Sequence, residues 1–270
     1  MDDFATERES TRYRLCGIGF GAIGVALAIA SVFSVLYITW MFGNRWVPNG
    51  LVRELFRYGE AVIVWSSLVG AYLLWGRWSH PGWQRRAGLL LVMCIVDALL
   101  WIVSNATSLG LPVGDVGHEW LRENLGEALG WAEFMLIASL ACDMLEHLGV
   151  ERATDAGQST RSLAATGSAI WLLWFIMKTQ WRHGWPLVAK RGPDINTVLL
   201  HLGHRMIWTI TLIQTTALVI AATRQSFRVL VELNNQAALD PIFRSRSQDA
   251  VDLLPKYADD AAKADRESLR

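Results

Sequence analysis

Charge is scarce in this chain. Only 19% of its 270 residues are Asp, Glu, Lys or Arg, below the roughly 25% usual in soluble domains. The 25 basic and 25 acidic side chains cancel. Without a global basic field, nucleic-acid binding has no electrostatic support. Cysteine is scarcer still. Cys16, Cys94 and Cys142 are scattered through apolar sequence, with no CxxC or paired spacing. They read as small packing residues rather than a disulfide framework or a metal knuckle. The usual catalytic motifs are missing too: no Walker loop, dinucleotide-binding glycine fingerprint, Gly-x-Ser-x-Gly elbow or His-Glu-x-x-His pair. That removes the positive arguments for an enzyme, and no internal repeat stands in their place.

What the chain has is apolar length. Hydrophobic residues make up 52% of it, and its mean hydropathy is +0.26. Six stretches stand out, at about 15–42, 58–76, 87–105, 128–148, 162–181 and 197–223. A spanning helix needs about 20 mainly apolar residues. The runs are continuous rather than alternating, which favours helices over barrel strands. The fold expected is therefore all-α: a polytopic, six-transmembrane-helix bundle in a lipid bilayer. The first stretch resembles a signal peptide, with Arg12 and Arg14 ahead of it and Ala28-Ile29-Ala30 like a cleavage site. Apolar sequence continues through 32–42, however, so it reads as an uncleaved helix. Of the 14 tryptophans, Trp40, Trp46, Trp75, Trp78, Trp83, Trp120, Trp131, Trp181 and Trp185 fall at or near stretch ends. Indoles favour the membrane interface, which predicts aromatic belts there.

With the N-terminus inside, twelve basic residues near the spans fall on the inner side (Arg8, Arg12, Arg14, Arg77, Arg85, Arg86, Arg152, Arg161, Arg224, Arg228, Arg244 and Arg246) and eight on the outer (Arg45, Arg53, Arg57, Arg122, Lys178, Arg182, Lys190 and Arg191). The positive-inside rule thus favours both termini inside, N-in/C-in. Short loops and few cysteines point to a bacterial inner (plasma) membrane. Residues 1–14 read as a polar N-terminal tail, 224–240 as a helical extension of the sixth stretch, and 241–270 as a polar C-terminal tail. Segments 49–60 and 117–129 are amphipathic. Each reads equally well as a surface helix or as an extension of the helix that follows.

Ionisable groups inside spans are costly and turn toward the bundle interior. The candidates are Asp97, near the middle of the third stretch; Glu133 and Asp143 in the fourth; and Arg205 in the sixth. Glu133 and Arg205 reach similar depths in the outer leaflet, so an interhelical pair between them is expected. Separate snorkelling to the headgroups is the alternative. His201 and His204 are spaced i, i+3 and can share a helix face, the minimum for an outer-side metal or histidine-ligated haem site. Ordinary polar histidines are the competing reading. On the first helix, Gly17 and Gly21 form a small-xxx-small ridge suited to close helix packing. Thr209, Thr211, Thr215 and Thr216 can bond back to their own helix carbonyls, so they need not line a pore.

Two functional classes follow. One is a non-enzymatic subunit or scaffold of a membrane complex, with homo- or hetero-oligomeric membrane partners. It is motivated by the glycine ridge, the extended sixth helix and the missing motifs. The other is a small-solute or ion transporter or channel, with Asp97 as intramembrane acid and Glu133/Arg205 as a gate. Metal or haem binding at His201/His204 is a minor third. No cofactor is identifiable from the residues.

Overall fold

A computed structural model of the chain describes residues 2–42, 49–76, 81–105, 118–150, 153–182 and 202–235. These form six helices: α1 (Asp2–Phe42), α2 (Asn49–Leu74), α3 (Pro81–Ser104), α4 (His118–His147), α5 (Ala153–Arg182) and α6 (Leu202–Asn235). Four of them contain segments long and apolar enough to cross a membrane: Glu9–Thr39, Gly82–Ser104, Asn124–His147 and Leu202–Asn235. The chain is a membrane protein.

The helix ends follow local chemistry. Pro81 opens α3, where its missing N–H is no loss. α4 closes in a Schellman motif: Val150 N donates to Leu145 O (2.9 Å) and Gly149 N to Glu146 O (3.0 Å). That geometry needs a left-handed residue, and Gly149 supplies it with φ 75°. α2 ends before Gly76, at φ 70°. Its Leu74 carbonyl accepts from the Trp83 indole of α3 at 3.1 Å, which staples the start of α3 to the end of α2.

Three helices run further than the apolar pattern marks. α1 begins at Asp2, so the described part of the polar segment 1–14 is helical. No Gly or Pro interrupts it before Gly17. The amphipathic segments 49–60 and 117–129 are likewise continuous with the bodies of α2 and α4 from Asn49 and His118 onward. α6 reaches Asn235, and residues 236–270 lie outside the described ones.

Neighbours in sequence pack together: α1 on α2, α2 on α3, α3 on α4 and α4 on α5. α6 returns to touch α1, α4 and α5. It meets α1 at Ser34 Oγ–Thr209 Oγ1 (2.6 Å) and α5 at Thr160 Oγ1–Gln214 Oε1 (3.4 Å). Thr209 also donates to the Arg205 carbonyl at 2.8 Å, which leaves Ser34 as the donor across the interface. Thr211, Thr215 and Thr216 donate to the carbonyls four residues back, as their spacing implies. α4 is the most enclosed span, with 56% of its apolar window buried against 22% for α1 and α3.

The core is made by Phe20, Ile23, Leu74, Leu90, Leu140, Met144, Leu212 and Val219. The outside is apolar as well. On α2, Leu55, Tyr58, Val62, Trp65, Val69 and Tyr72 stand exposed at three- and four-residue steps, as do Leu89, Val92, Ile95, Leu99 and Val103 on α3. A water-facing helix would put charges on such a stripe; hydrocarbon accepts it.

Small residues set the closest crossings. Gly17 and Gly21 face α6, where an added Cβ would lie 3.3 Å from Ser226 and Phe227 and 3.8 Å from Thr223 respectively. Backbone meets backbone between α1 and α2 at two other glycines. A Cβ on Gly70 would stand 2.7 Å from the Gly19 carbonyl oxygen.

The tryptophan pattern is corrected at two positions. Trp83 and Trp131 are each 1% exposed and belong to the core, not to an interface belt. Each finds a protein environment: Trp83 a carbonyl on α2, and Trp131 an aromatic cluster on α4 and α6. Trp75, half exposed, sits at the end of α2. The side chains of Trp40, Trp46, Trp78, Trp120, Trp181 and Trp185 lie outside the described residues.

Candidate functional site: a charged cleft between four helices

Helical spacing assembles the walls of one cleft. On α2, Glu60, Ile63 and Val64 share a face at i, i+3, i+4; on α3, Asp97, Leu100 and Trp101 do the same. α4 contributes Gly126 and Glu127, and α6 contributes Arg205 and Trp208. The cleft measures about 560 Å³, within the roughly 300–1,000 Å³ of small-molecule sites. Three carboxyl groups and one guanidinium line it.

Arg205 is anchored from two sides. Its Nη2 meets Glu127 Oε1 at 2.5 Å, with about a quarter of each side chain exposed. Its guanidinium also lies 5.4 Å from the centre of the Tyr37 ring of α1, a cation–π distance. This corrects the expected Glu133–Arg205 pair. Glu133 lies six residues further along α4, about 9 Å deeper at the helical rise. Glu127 is the acid at the level of Arg205. It was passed over because it precedes the uninterrupted apolar run.

Glu133 instead looks toward α3. Cys94 and Asp97, one turn apart on α3, are the groups acting on it. Its Oε1 is shielded from solvent, and the Cys94 thiol hydrogen-bonds to its carboxyl group. Asp97 thus stands between the cleft, which it lines, and the more shielded Glu133.

Asp143 has a different partner and sits elsewhere. Arg86 of α3 grips it as a fork, Nη2 to Oδ2 at 2.5 Å and Nη1 to Oδ1 at 3.3 Å. This pair ties α3 to α4 at the opposite end from the cleft. It explains why a carboxylate is tolerated there.

Trp208 joins the cleft to an aromatic cluster between α4 and α6. Trp131 meets Trp208 edge-on (centroids 4.9 Å apart) and Phe134 (5.9 Å), and His204 packs at 5.7 Å from Trp131. Glycines make room for the indoles. A Cβ on Gly130 would stand 2.5 Å from Trp208, and one on Gly167 of α5 would collide with Trp131. His204 is 1% exposed within this cluster, and His201 lies outside the described residues. Among the described residues, no group of three or more His, Cys, Asp or Glu is spaced to hold a metal ion.

Trp101 and Arg205 line the cleft, but their Nε1 and Nε atoms are shielded from solvent and bond to no acceptor among the described residues. A shielded donor left without a partner costs about 1–3 kcal/mol. Glu60 and Glu127 were the residues that sequence reasoning missed. Glu60 lies in the first turn of the second apolar stretch and Glu127 just before the fourth, and the continuity of α2 and α4 brings them to the cleft. The signal available was the unbroken helical pattern through 49–60 and 117–129.

No family model, no curated protein and no solved structure matches this chain.

Proposed function

We propose that this protein is a six-span membrane protein of the transporter class, with both termini on the inner side, and that the cleft is where it takes up a small polar solute. The observation that carries the reading is the convergence of Glu60, Asp97, Glu127 and Arg205, from four helices, on one cavity. Ionisable side chains are expensive in a lipid-embedded bundle and gather where a polar substrate or ion passes. A purely structural bundle gains nothing from lining a 560 Å³ opening with them. The exposed apolar stripe of α2 supports counting it among the spans, although its first turns carry Arg53, Glu54 and Arg57.

The test is flux through reconstituted vesicles. Vesicles carrying the protein are expected to dissipate an imposed pH or sodium gradient faster than empty ones, and Asp97→Asn to lose that excess. Dissipation no faster than from empty vesicles sinks the transporter reading.

A second reading, a subunit of a membrane complex, is favoured by one feature. α6 has 34 residues, or about 51 Å at the helical rise, against a hydrocarbon core of about 30 Å. Its surplus length offers a partner a helical face. Fixed-stoichiometry co-purification in mild detergent supports that reading; a lone monomer counts against it.

A further inference from the structure

The cleft occupies one end of the bundle. Glu60, Asp97, Glu127 and Arg205 lie in the halves of α2, α3, α4 and α6 that the proposed topology turns outward. Toward the other end the same helices close up. Ala71 and Leu74 of α2, Ala87 and Leu90 of α3, and Leu140 and Ala141 of α4 have no exposed surface. At the edge of this plug, Arg86 of α3 grips Asp143 of α4 with both nitrogens. α4 thus holds a different neighbour near each end: Arg205 of α6 through Glu127, and Arg86 of α3 through Asp143. The two acids stand sixteen residues apart, about 24 Å at the helical rise.

From this arrangement we infer that the Arg86–Asp143 fork is a gate at the inner end, and that α3 and α4 part there when the cleft closes. The inference rests on reading the cleft as a transport site, and it adds how that site reaches the inner side. Three physical points carry it. A solute held in the cleft can go further only past the plug, whose inner edge the fork closes. The fork is also weak enough to open. Its side chains are 31% and 30% exposed, so water can take over their hydrogen bonds, and an ion pair of that exposure contributes little. A deeply buried pair would cost far more to part. Finally, the two helices that the fork joins carry Asp97 and Glu127 into the cleft at their other ends. A rigid helix that tilts at one end moves at the other, which is how packed bundles exchange access between two sides.

Cys142 reports on the inner end. It stands beside Asp143 in the chain and is 1% exposed. It packs against α5, where a Cβ on Gly157 would overlap its sulfur. The experiment uses the full chain in mild detergent, with Cys16 and Cys94 replaced by Ala. The rate at which a water-soluble maleimide labels Cys142 is read by mass spectrometry. Arg86→Gln is expected to speed labelling about five-fold, roughly the worth of a partly exposed ion pair. Arg86→Lys, which keeps the cation, is expected to stay near the parent rate. If Arg86→Gln does not fold, Asp143→Asn parts the same pair and carries the same expectation.

The second arm closes the cleft. Ile63→Cys and Gly126→Cys place thiols on its α2 and α4 walls, and a side chain at Gly126 meets no atom within 4 Å. The shortest bifunctional thiol reagent that joins them draws the walls together. Cys142 is expected to label faster once they are joined. A Cys142 rate that ignores this cross-link overturns the inference and makes the fork a static tie. A rate that ignores Arg86→Gln overturns it too. Gradient dissipation that survives either result leaves the transporter reading standing with another inner path. Coupled opening without any flux supports the gate and sinks the transporter reading instead.

Discussion

Glu127 and Glu133 stand six residues apart on one helix and illustrate how neighbours decide what a carboxylate does. Glu127 meets the guanidinium of Arg205 at 2.5 Å. Glu133 is shielded and has the Cys94 thiol and the carboxyl group of Asp97 as its neighbours on α3. Glu127→Gln leaves Arg205 half-buried with its charge uncompensated. It is expected to cost about 1–3 kcal/mol, less than a fully buried pair because both side chains keep some exposure. Glu133→Gln removes a like charge from beside Asp97 and keeps a polar group for Cys94, so it is expected to cost less than Glu127→Gln. Thermal unfolding in detergent compares the two. A Glu127→Gln variant as stable as the parent would show that the pair contributes nothing. Equal losses at both sites would mean that Glu133 holds a cation of its own.

At the scale of elements, the α1–α2 crossing depends on two glycines that touch through their backbones. Gly70→Val places a Cβ 2.7 Å from the Gly19 carbonyl oxygen, which neither helix can yield without separating. Overpacking of this kind costs about 1–3 kcal/mol, and a loss in that range is expected, read as a lowered Tm. Gly21→Ala is the control: its Cβ would meet Thr223 at 3.8 Å, an ordinary contact, so the Tm is expected to hold. Equal effects at the two positions would mean that the crossing is not set by backbone approach. Between α3 and α4, the fork of Arg86 on Asp143 plays the comparable part. Each single change leaves one charge of the pair behind; Arg86→Ala is expected to lower the Tm more than Asp143→Asn, because the amide still accepts from the guanidinium and a long Arg86 can reach toward water, while the short Asp143 carboxylate is left without its donor.

At the scale of the whole molecule, the number of spans decides which loops face out. Four helices contain segments long and apolar enough on their own; six spans require α2 and α5 to cross as well. The two arrangements make opposite predictions. With six, residue 113, between α3 and α4, lies outside and residue 152, between α4 and α5, inside. With only α1, α3, α4 and α6 crossing, the two exchange sides. Single cysteines at Val113 and Arg152, in a chain with Cys16, Cys94 and Cys142 replaced by Ala, separate the cases. The expected result is labelling at Val113 but not Arg152 by a membrane-impermeant thiol reagent on intact cells. The reverse pattern would establish four spans.

Much of the fold was legible in the residues. Long apolar runs are helices because hydrocarbon leaves the backbone no partner but itself, and their positions follow from composition alone. Glycine at 149 ends α4 for a reason written in its own chemistry. The threonines of α6 bond to their own carbonyls at a spacing visible in the sequence. What the residues did not contain was adjacency. Depth along a span can be counted from the chain, but which helix stands beside which, and which face it turns, depends on packing between segments remote in sequence. For that reason Arg205 could be recognised as a costly group needing a partner, while its partner, Glu127, was identified only once α4 and α6 lay side by side. The same holds for Trp131, whose position suggested an interface and whose burial was decided by the space left at Gly167. The sequence determined that this chain lives in a membrane and which polar residues it carries there. Tertiary structure alone decided that four of them share one cleft, because a cleft is a relation between helices and no single helix holds it.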